Sequence, residues 1–174
     1  RSHGVTRDPL LMERNDGGWY YEQVELGFNY RMTDIAAALG LSQLDRLDEF
    51  VTRRNALAER YGGLLKHLPL DLPEVRNQSL STFHLYVIRL RKHEIKLAKS
   101  AVFDALRSRG LGVNVHYIPI YRHPYFQKMQ PSFAKQPNAE DYYALAISIP
   151  LYGTMTNDEQ DHVVSIIHEV LACG

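Results

Sequence analysis

The stretch from Thr33 to Leu65 reads TDIAAALGLSQLDRLDEFVTRRNALAERYGGLL, has no proline and consists largely of good helix formers. Thr33 is suited to cap a helix N-terminus, and the carboxylate of Asp34 is favourable in the first turn. The pattern predicts one long amphipathic helix over residues 33–66, which could bend near Gly40 or Asn55 or fray at Gly62. Its apolar residues recur at steps of three, four and seven: Leu44, Leu47, Val51, Ala58, Tyr61 and Leu65.

Downstream of this helix, strand and helix patterns alternate. Strands are predicted over residues 81–90, 112–117 and 147–149, where β-branched and aromatic residues run or alternate between turn residues. Helices are predicted over residues 96–109, which Gly110 ends, and from Asn138 through Ala146. A last helix begins with a capping box and carries a buried stripe. The box is Thr156 with Glu159, and the stripe is Val163, Ile167, Val170 and Leu171.

This order of elements predicts an α+β fold, with a small sheet covered by helices on one face. Three short strands favour antiparallel pairing, although their spacing leaves parallel pairs open. Residues 1–32 are rich in turns, residues 33–66 form the long helix and residues 67–174 form the α+β domain. The chain of 174 residues is long enough to bury a core of its own.

Charge and composition exclude several classes of partner. Twenty basic residues balance twenty acidic ones, so neither a nucleic acid nor a membrane surface is an expected partner. No apolar run reaches the ~18 residues of a membrane span. The opening residues 1–4 do not resemble a signal peptide, so we expect a chain that starts inside a longer protein. The single Cys173 cannot form an internal disulfide, which fits a cytoplasmic location.

Asn29, Tyr30 and Arg31 precede a predicted helix N-terminus. An amide and a guanidinium beside such a terminus favour a phosphate group, because backbone N–H groups there are free to bind anions. The alternative is a capped turn with a solvated arginine.

A second group of polar residues surrounds the end of the strand predicted over residues 112–117: His116, Tyr117, Tyr121 and His123. Imidazole and phenol groups can donate hydrogen bonds to a sugar or a phosphate. The alternative for His116 is a core histidine paired with a backbone carbonyl. The spacing of the two histidines does not match a metal site, and none is predicted.

Three motifs resemble the DegT/DnrJ/EryC1/StrS aminotransferases, which use pyridoxal phosphate (PLP) to aminate keto-sugars attached to nucleotides. Residues 26–44, LGFNYRMTDIAAALGLSQL, resemble the signature of the family. Residues 116–126, HYIPIYRHPYF, resemble its substrate-side motif, and residues 148–156, SIPLYGTMT, resemble its ending. The most similar branch makes UDP-4-amino-4,6-dideoxy-N-acetyl-β-L-altrosamine, a step towards pseudaminic acid. Amination of other nucleotide-linked 4-keto sugars is the close rival.

The resemblance implies the fold-type I aminotransferase architecture, of which this chain would be the C-terminal part. Residues 1–32 would be a remnant of the large PLP-binding domain, and the helix over residues 33–66 would join it to the small domain. The family works as a homodimer. Asn29 would bind the phosphate of pyridoxal 5'-phosphate held by the partner subunit. The residues that would bind the sugar nucleotide are Arg31, His116, Tyr117, Ile118 and Pro119.

Family members hold PLP through a lysine in the segment before the signature, and no lysine of this chain has that context. The six lysines are Lys66, Lys92, Lys96, Lys99, Lys128 and Lys135. The resemblance therefore implies an active parent enzyme and a chain that has no catalytic residue of its own. The parent would transfer an amino group, usually from glutamate, to C4 of a UDP- or dTDP-linked keto-sugar. The alternative is a non-catalytic module that binds sugar nucleotides or forms dimers.

Overall fold

The structure, a computed structural model, describes residues 2–130 and 134–172. Cys173 and Arg1, which both entered the sequence predictions, lie outside the described residues. The chain forms two compact units, Arg1–Arg46 and Leu47–Gly174. The boundary therefore falls inside the segment 33–66 that the helical pattern assigned to one helix.

In the first unit, strands β1 (Val5–Thr6) and β2 (Glu22–Gln23) pair in antiparallel fashion, and helix α1 follows at Asp34–Leu44. The Glu22 carboxylate accepts hydrogen bonds from the backbone N–H groups of Glu13 (2.7 Å) and Arg14 (3.2 Å). These bonds lower the pKa of Glu22. The backbone at Gly27 lies very close to the backbone at Gly4. Only glycine fits at residue 27, because a Cβ there would lie 2.1 Å from the nitrogen of Gly4.

The prediction of a single helix over residues 33–66 is wrong, since helix α2 begins anew at Leu47 and ends at Leu65. At the end of α1 the Arg46 N–H bonds to the Gln43 carbonyl at 3.2 Å, three residues back, which tightens the last turn. The break lies at residues 45–46 and not at Gly40 or Asn55. Helix propensity and apolar period are continuous there, so neither could reveal one altered turn. The Thr33 cap is confirmed, because its side chain accepts from Ala36 N–H at 3.3 Å.

The second unit continues after α2 with a three-stranded sheet and shorter helices. The strands are β3 (Leu70–Asp71), β4 (Tyr86–Leu90) and β5 (Ala146–Ile149), and the helices after α2 are α3 (Lys99–Ser108), α4 (Pro124–Met129), α5 (Pro137–Leu145) and α6 (Asn157–Ala172). A 3₁₀ turn spans Ile120–Arg122. The strand order is β3-β4-β5 with both pairs antiparallel, which confirms the predicted α+β class.

The core of this unit lies on one face of the sheet. Alternate residues of β4, namely Tyr86, Ile88 and Leu90, are buried, as the period of two in a strand requires. The same apolar cluster takes side chains from α2, α3 and α6: Leu57, Tyr61, Leu65, Val102, Leu106, Val163, Ile167 and Val170. Predicted Leu44 and Leu47 are exposed instead.

Two further predictions for the second unit are wrong. The strand over residues 112–117 is reduced to an isolated bridge of Asn114 to Ser148, because only Asn114 reaches β5. The alternation there reflects burial of Leu111 and Val113, not sheet pairing. Helix α5 begins at Pro137 after Gln136, so Asn138 is not its cap. Proline is favourable at the first helical position, where its missing N–H costs nothing.

The capping box of α6 is confirmed. Glu159 N–H donates to Thr156 Oγ (3.2 Å), while the Glu159 carboxylate accepts from Thr156 N–H at 2.7 Å. That backbone bond is the main cause of the lowered pKa of Glu159. The stabilisation is therefore complete above the ordinary glutamate range and is lost as pH falls through the lowered pKa.

We expect Thr156→Ala to lower the free energy of unfolding by about 1 kcal/mol, since it removes the side-chain acceptor of the cap. Urea unfolding followed by circular dichroism measures this difference. Thr154→Ala, on an exposed residue just outside the helix, is the matched control. An equal effect of the two substitutions would show that the box contributes nothing.

Among the helices of the described residues, none is long and apolar enough to cross a membrane.

Candidate functional site

A cavity of about 560 Å³ lies in the second unit, where the end of β5 and the start of α6 meet residues 110–116. Leu111, Ile149, Leu151, Met155 and Val163 supply most of its apolar wall. Its polar groups converge from four parts of the unit: His84, Asn114, His116, Ser148, Tyr152, Glu159 and His162. An apolar cavity with a few convergent polar groups is the usual form of a small-molecule site.

His116 is held in this cavity wall by a side chain. Its Nδ1 lies 2.7 Å from the Ser148 Oγ. This contact replaces the backbone carbonyl that sequence reasoning offered as the alternative partner of His116. The Tyr117 ring meets the His116 ring edge-on, with 4.6 Å between centroids, and is itself 73% exposed. A half-buried imidazole and an exposed phenol thus stand side by side.

The segment after Tyr117 is anchored at its far end. The buried Tyr121 hydroxyl bonds to the backbone of Gln136, and Arg122 forms an ion pair with Glu140 of α5. The side chains of Arg122 and Lys99 both lie over the Tyr143 ring. Burial, followed by the nearby Arg122 charge, lowers the pKa of Lys99. Tyr121 is therefore structural, while Ile118 remains exposed and Pro119 is half-buried.

The electrostatics of this cavity favour neutral polar ligand groups over phosphate. Neither a lysine nor an arginine is among its lining residues in the described chain, whereas the Glu159 carboxylate is. Because the pKa of Glu159 is lowered, this carboxylate stays ionised at neutral pH. The hydroxyl and carbonyl oxygens of a sugar avoid the repulsion that a phosphate would meet here.

Asn29 and Arg31 lie in the first unit, which is described by itself. Asn29 forms an isolated antiparallel bridge with Ser2 and is exposed, and the rings of neighbouring Phe28 and Tyr30 stack at 5.2 Å. Arg31 lines a cavity of about 690 Å³ in this unit together with Arg7. No carboxylate lines it among the residues described, so two guanidinium groups make this cavity favourable for an anion.

Sequence reasoning missed six polar residues of the second-unit cavity. His84, Asn114 and His162 carried no signal as ligand groups, and Glu159 entered only as part of the capping box. Ser148 and Tyr152 were part of the quoted SIPLYGTMT motif, so their presence near a site was accessible from the sequence, but the contact of Ser148 with His116 was not. No cluster of three or more metal-binding side chains occurs among residues 2–130 and 134–172.

Comparison with known proteins identifies the class of protein that this fold and these motifs define. The chain belongs to the DegT/DnrJ/EryC1/StrS aminotransferase family, whose model matches residues 1–168. The resemblance read from residues 26–44, 116–126 and 148–156 is thereby confirmed.

Two curated relatives are similar to this chain over nearly its whole length. The spore coat polysaccharide biosynthesis protein SpsC of Bacillus subtilis is 35% identical over 172 residues, which are 97% of this chain and 44% of SpsC. The UDP-4-amino-4,6-dideoxy-N-acetyl-β-L-altrosamine transaminase of Campylobacter jejuni is 32% identical, over 98% of this chain and 43% of the transaminase. The chain thus spans less than half the length of these curated relatives.

Solved structures of aminotransferases resemble this chain in fold. Helicobacter pylori PseC, an aminotransferase of pseudaminic acid biosynthesis, is 26% identical with a TM-score of 0.87, over 100% of this chain and 44% of PseC. The sugar aminotransferase Spr1654 of Streptococcus pneumoniae, in its PMP form, is 26% identical with a TM-score of 0.84. That match covers 99% of this chain and 43% of Spr1654. Spr1654 is also known in a PLP form.

Both PLP and a sugar nucleotide carry phosphate groups. The cavity with Arg7 and Arg31 offers the cationic surroundings that a phosphate group needs. By contrast, none of the six lysines lines that cavity or the cavity beside His116. The described residues of these two cavities therefore offer contacts to a phosphate but no amine for covalent attachment.

Proposed function

We propose that this chain is the C-terminal part of a PLP-dependent aminotransferase that acts on a nucleotide-linked keto-sugar. The observation that carries the proposal is the family match over residues 1–168. In the reaction, an amino group from a donor such as glutamate replaces the C4 keto oxygen of the sugar, and the donor leaves as a keto acid. PLP supplies the carrier for that amino group when it is bound.

Asn29 and Arg31 act on the anionic groups in this proposal. The Asn29 side chain is exposed and would donate its amide N–H to the phosphate of a PLP held by the partner subunit of a homodimer. Arg31 adds positive charge to the first-unit cavity and binds a phosphate of the sugar nucleotide. The role of Arg31 needs a cation in an environment without carboxylates, which the described lining of this cavity supplies.

The part of the proposed site that binds the sugar consists of His116, Tyr117, Ile118 and Pro119. The cavity beside His116 is lined by the Glu159 carboxylate and by neither lysine nor arginine among the described residues, so it suits the uncharged ring of a sugar more than its phosphates. The exposed Tyr117 and Ile118 offer a flat apolar and hydrogen-bonding surface next to the imidazole. A UDP-linked 4-keto-6-deoxy-N-acetyl sugar is the favoured substrate, because PseC and the Campylobacter jejuni transaminase both resemble this chain.

The chain alone is expected to be inactive. Aminotransfer through PLP requires a lysine amine, and none of the lysines present lines either cavity. Residues 1–32 would then be a remnant of the PLP-binding domain. The rival proposal is a non-catalytic module that binds sugar nucleotides or forms dimers, and the broad exposure of apolar side chains on α1 (Ile35, Leu39 and Leu41) favours its dimerising form.

The test is an assay of the parent enzyme on several UDP- and dTDP-linked 4-keto sugars, with glutamate as donor. His116→Ala should raise KM for the sugar nucleotide about tenfold, and Asn29→Ala should weaken PLP retention about tenfold, as expected for one lost hydrogen bond to a charged or buried partner. The exposed His93→Ala and Asn138→Ala are the matched controls.

Absence of amination with every sugar would overturn the aminotransferase proposal. An active parent in which all four variants behave alike would instead show that His116 and Asn29 are misplaced. The isolated chain, assayed under the same conditions with PLP, should show no turnover, and any turnover would contradict its dependence on an upstream lysine.

A further inference from the structure

Ser148 is a buried polar residue that the proposed function does not yet use. It lies within β5 and is 5% exposed. In the strand register it lies opposite Val87 of β4. Its N–H donates to the Asn114 carbonyl (2.8 Å) and its carbonyl accepts from Asn114 N–H (3.1 Å), so both of its backbone groups are paired with one residue. The backbone that carries the hydroxyl is therefore fixed in place.

The hydroxyl of Ser148 has one hydrogen-bond partner within the described residues, the Nδ1 of His116 at 2.7 Å. Two arrangements fit that distance, since either group can be the donor. If His116 donated, the serine hydrogen would have no acceptor among the described residues and would depend on a molecule in the cavity that Ser148 lines. If Ser148 donates, the hydrogen without a protein partner is instead the Nε2–H of His116, which belongs to a half-buried ring and can reach solvent or a ligand more easily than the hydroxyl of a 5% exposed serine.

We infer that Ser148 is a positioning residue, whose hydroxyl donates to Nδ1 of His116 and fixes the neutral ring with its hydrogen on Nε2. His116 is then a donor to any ligand that reaches Nε2, which makes no hydrogen bond within the described chain. The ligand group it fits is an acceptor oxygen, either a carbonyl or a hydroxyl. A positively charged amino group, which can only donate, does not fit.

This inference deepens the proposed function and rests on it for the identity of the ligand. In the sugar site, the Nε2–H would bind an oxygen of the sugar, and Ser148 would keep the ring from turning or exchanging tautomer. The tautomer itself is a property of this chain and can be tested without substrate, cofactor or activity.

The first experiment is ¹⁵N NMR of the imidazole side chains in the 174-residue chain, at a pH where the ring of His116 is neutral. We expect the chemical shifts of an unprotonated, hydrogen-bonded Nδ1 and a protonated Nε2. Ser148→Ala should give a mixture of both tautomers, and Ser148→Thr, which keeps the hydroxyl, should restore the single form. Ser165→Ala, on an exposed serine of α6, should leave the spectrum of His116 unchanged.

A wild-type Nδ1–H tautomer would overturn the inference, and this result does not depend on whether any variant folds. So would a single unchanged tautomer in folded Ser148→Ala.

The second experiment uses the parent enzyme. Ser148→Ala should raise KM for the sugar nucleotide roughly two- to tenfold, as for one weakened neutral hydrogen bond, while kcat changes less. An unchanged KM in an active parent would overturn the positioning role of Ser148 without contradicting the aminotransferase proposal. A parent that aminates no sugar would overturn the proposed function, whereas the tautomer measured by NMR still decides the arrangement of Ser148 and His116.

Discussion

Replacing Tyr61 with alanine is expected to lower the free energy of unfolding of the second unit by about 3–5 kcal/mol. The Tyr61 side chain is fully buried in α2 and packs on Tyr86 of β4, with 5.0 Å between ring centroids. Its hydroxyl donates to the Pro150 carbonyl at 2.9 Å. The substitution would remove a large aromatic volume from the centre of the core and leave a cavity that the surrounding sheet and helices can fill only partly.

Tyr61→Phe is the matched control and isolates the hydroxyl. It should cost about 1 kcal/mol, since one hydrogen bond is lost and little volume changes. Urea unfolding should be followed by circular dichroism, because the single Trp19 belongs to the first unit and its fluorescence would report on that unit. A loss below 1 kcal/mol for Tyr61→Ala would show that Tyr61 is not central to the core.

Tyr61 also connects the core to the candidate site. Pro150 follows β5 and lines the cavity beside His116 and Ser148. The bond from Tyr61 therefore holds the backbone at the cavity wall to α2. A secondary effect of Tyr61→Phe on ligand binding would follow from this contact, although the hydroxyl itself lies in the core.

Gln160→Glu is expected to lower the free energy of unfolding by about 2–3 kcal/mol at neutral pH. Gln160 is fully buried on α6, and its Nε2 donates to the Leu57 carbonyl at 2.7 Å while its Oε1 accepts from Arg60 at 3.2 Å. An ionised carboxylate cannot donate to the carbonyl and would place two acceptors against each other. Arg60 offsets part of this cost, since it remains a donor.

The pH dependence of this variant gives a second check. Burial and the Leu57 carbonyl would raise the pKa of the introduced carboxyl above the ordinary glutamate value in the folded state. The destabilisation should therefore increase as pH rises above about 4.3, where the unfolded carboxyl ionises, and should diminish below it. Gln127→Glu, at an exposed position of α4, should change stability by less than about 0.5 kcal/mol. Equal effects at the two positions would contradict the role of Gln160.

Gln160 also illustrates what the sequence pattern could not supply. The stripe predicted for α6 held Val163, Ile167, Val170 and Leu171, of which the first three are buried and Leu171 is half-buried. From the sequence, a glutamine on the same helix face is predicted to be exposed to solvent, because polar side chains are mostly exposed. Only the approach of α2 provides the carbonyl and the guanidinium that satisfy it, from Leu57 and Arg60, which lie 103 and 100 residues earlier in the chain.

Helix caps and short strands could be predicted from the sequence wherever the interacting residues lie within a few positions of each other. The Thr33 cap, the box of Thr156 with Glu159 and the strand at residues 147–149 all depend on neighbours in the chain, and each is confirmed. The two-residue strand β3 was missed, because a pair of residues bracketed by prolines carries no period. The strand predicted over residues 112–117 failed for the opposite reason, since a clear alternation lacked a pairing partner beyond Asn114.

The helix over residues 33–66 shows the same division between local and tertiary information. Its sequence determined that these residues are helical and that Ala58, Tyr61 and Leu65 face a core, since a period of 3.6 places them on one side. The altered turn at residues 45–46 and the exposure of Leu44 and Leu47 were decided by the three-dimensional structure. The boundary between the two compact units falls at that point of the chain, and neither helix propensity nor apolar period indicates such a boundary.

By itself, the sequence determined the family of this protein, its α+β class and most of its local caps, because each depends on residues close together in the chain. Only the tertiary structure decided the candidate site of the second unit. It placed Ser148 against His116, 32 positions away in the sequence. It also brought side chains from positions as far apart as His84 and Val163 to the wall of one cavity. The physical reason is that the strand pairing of β5 sets where Ser148 stands, and a hydrogen bond between distant residues leaves no period in the sequence.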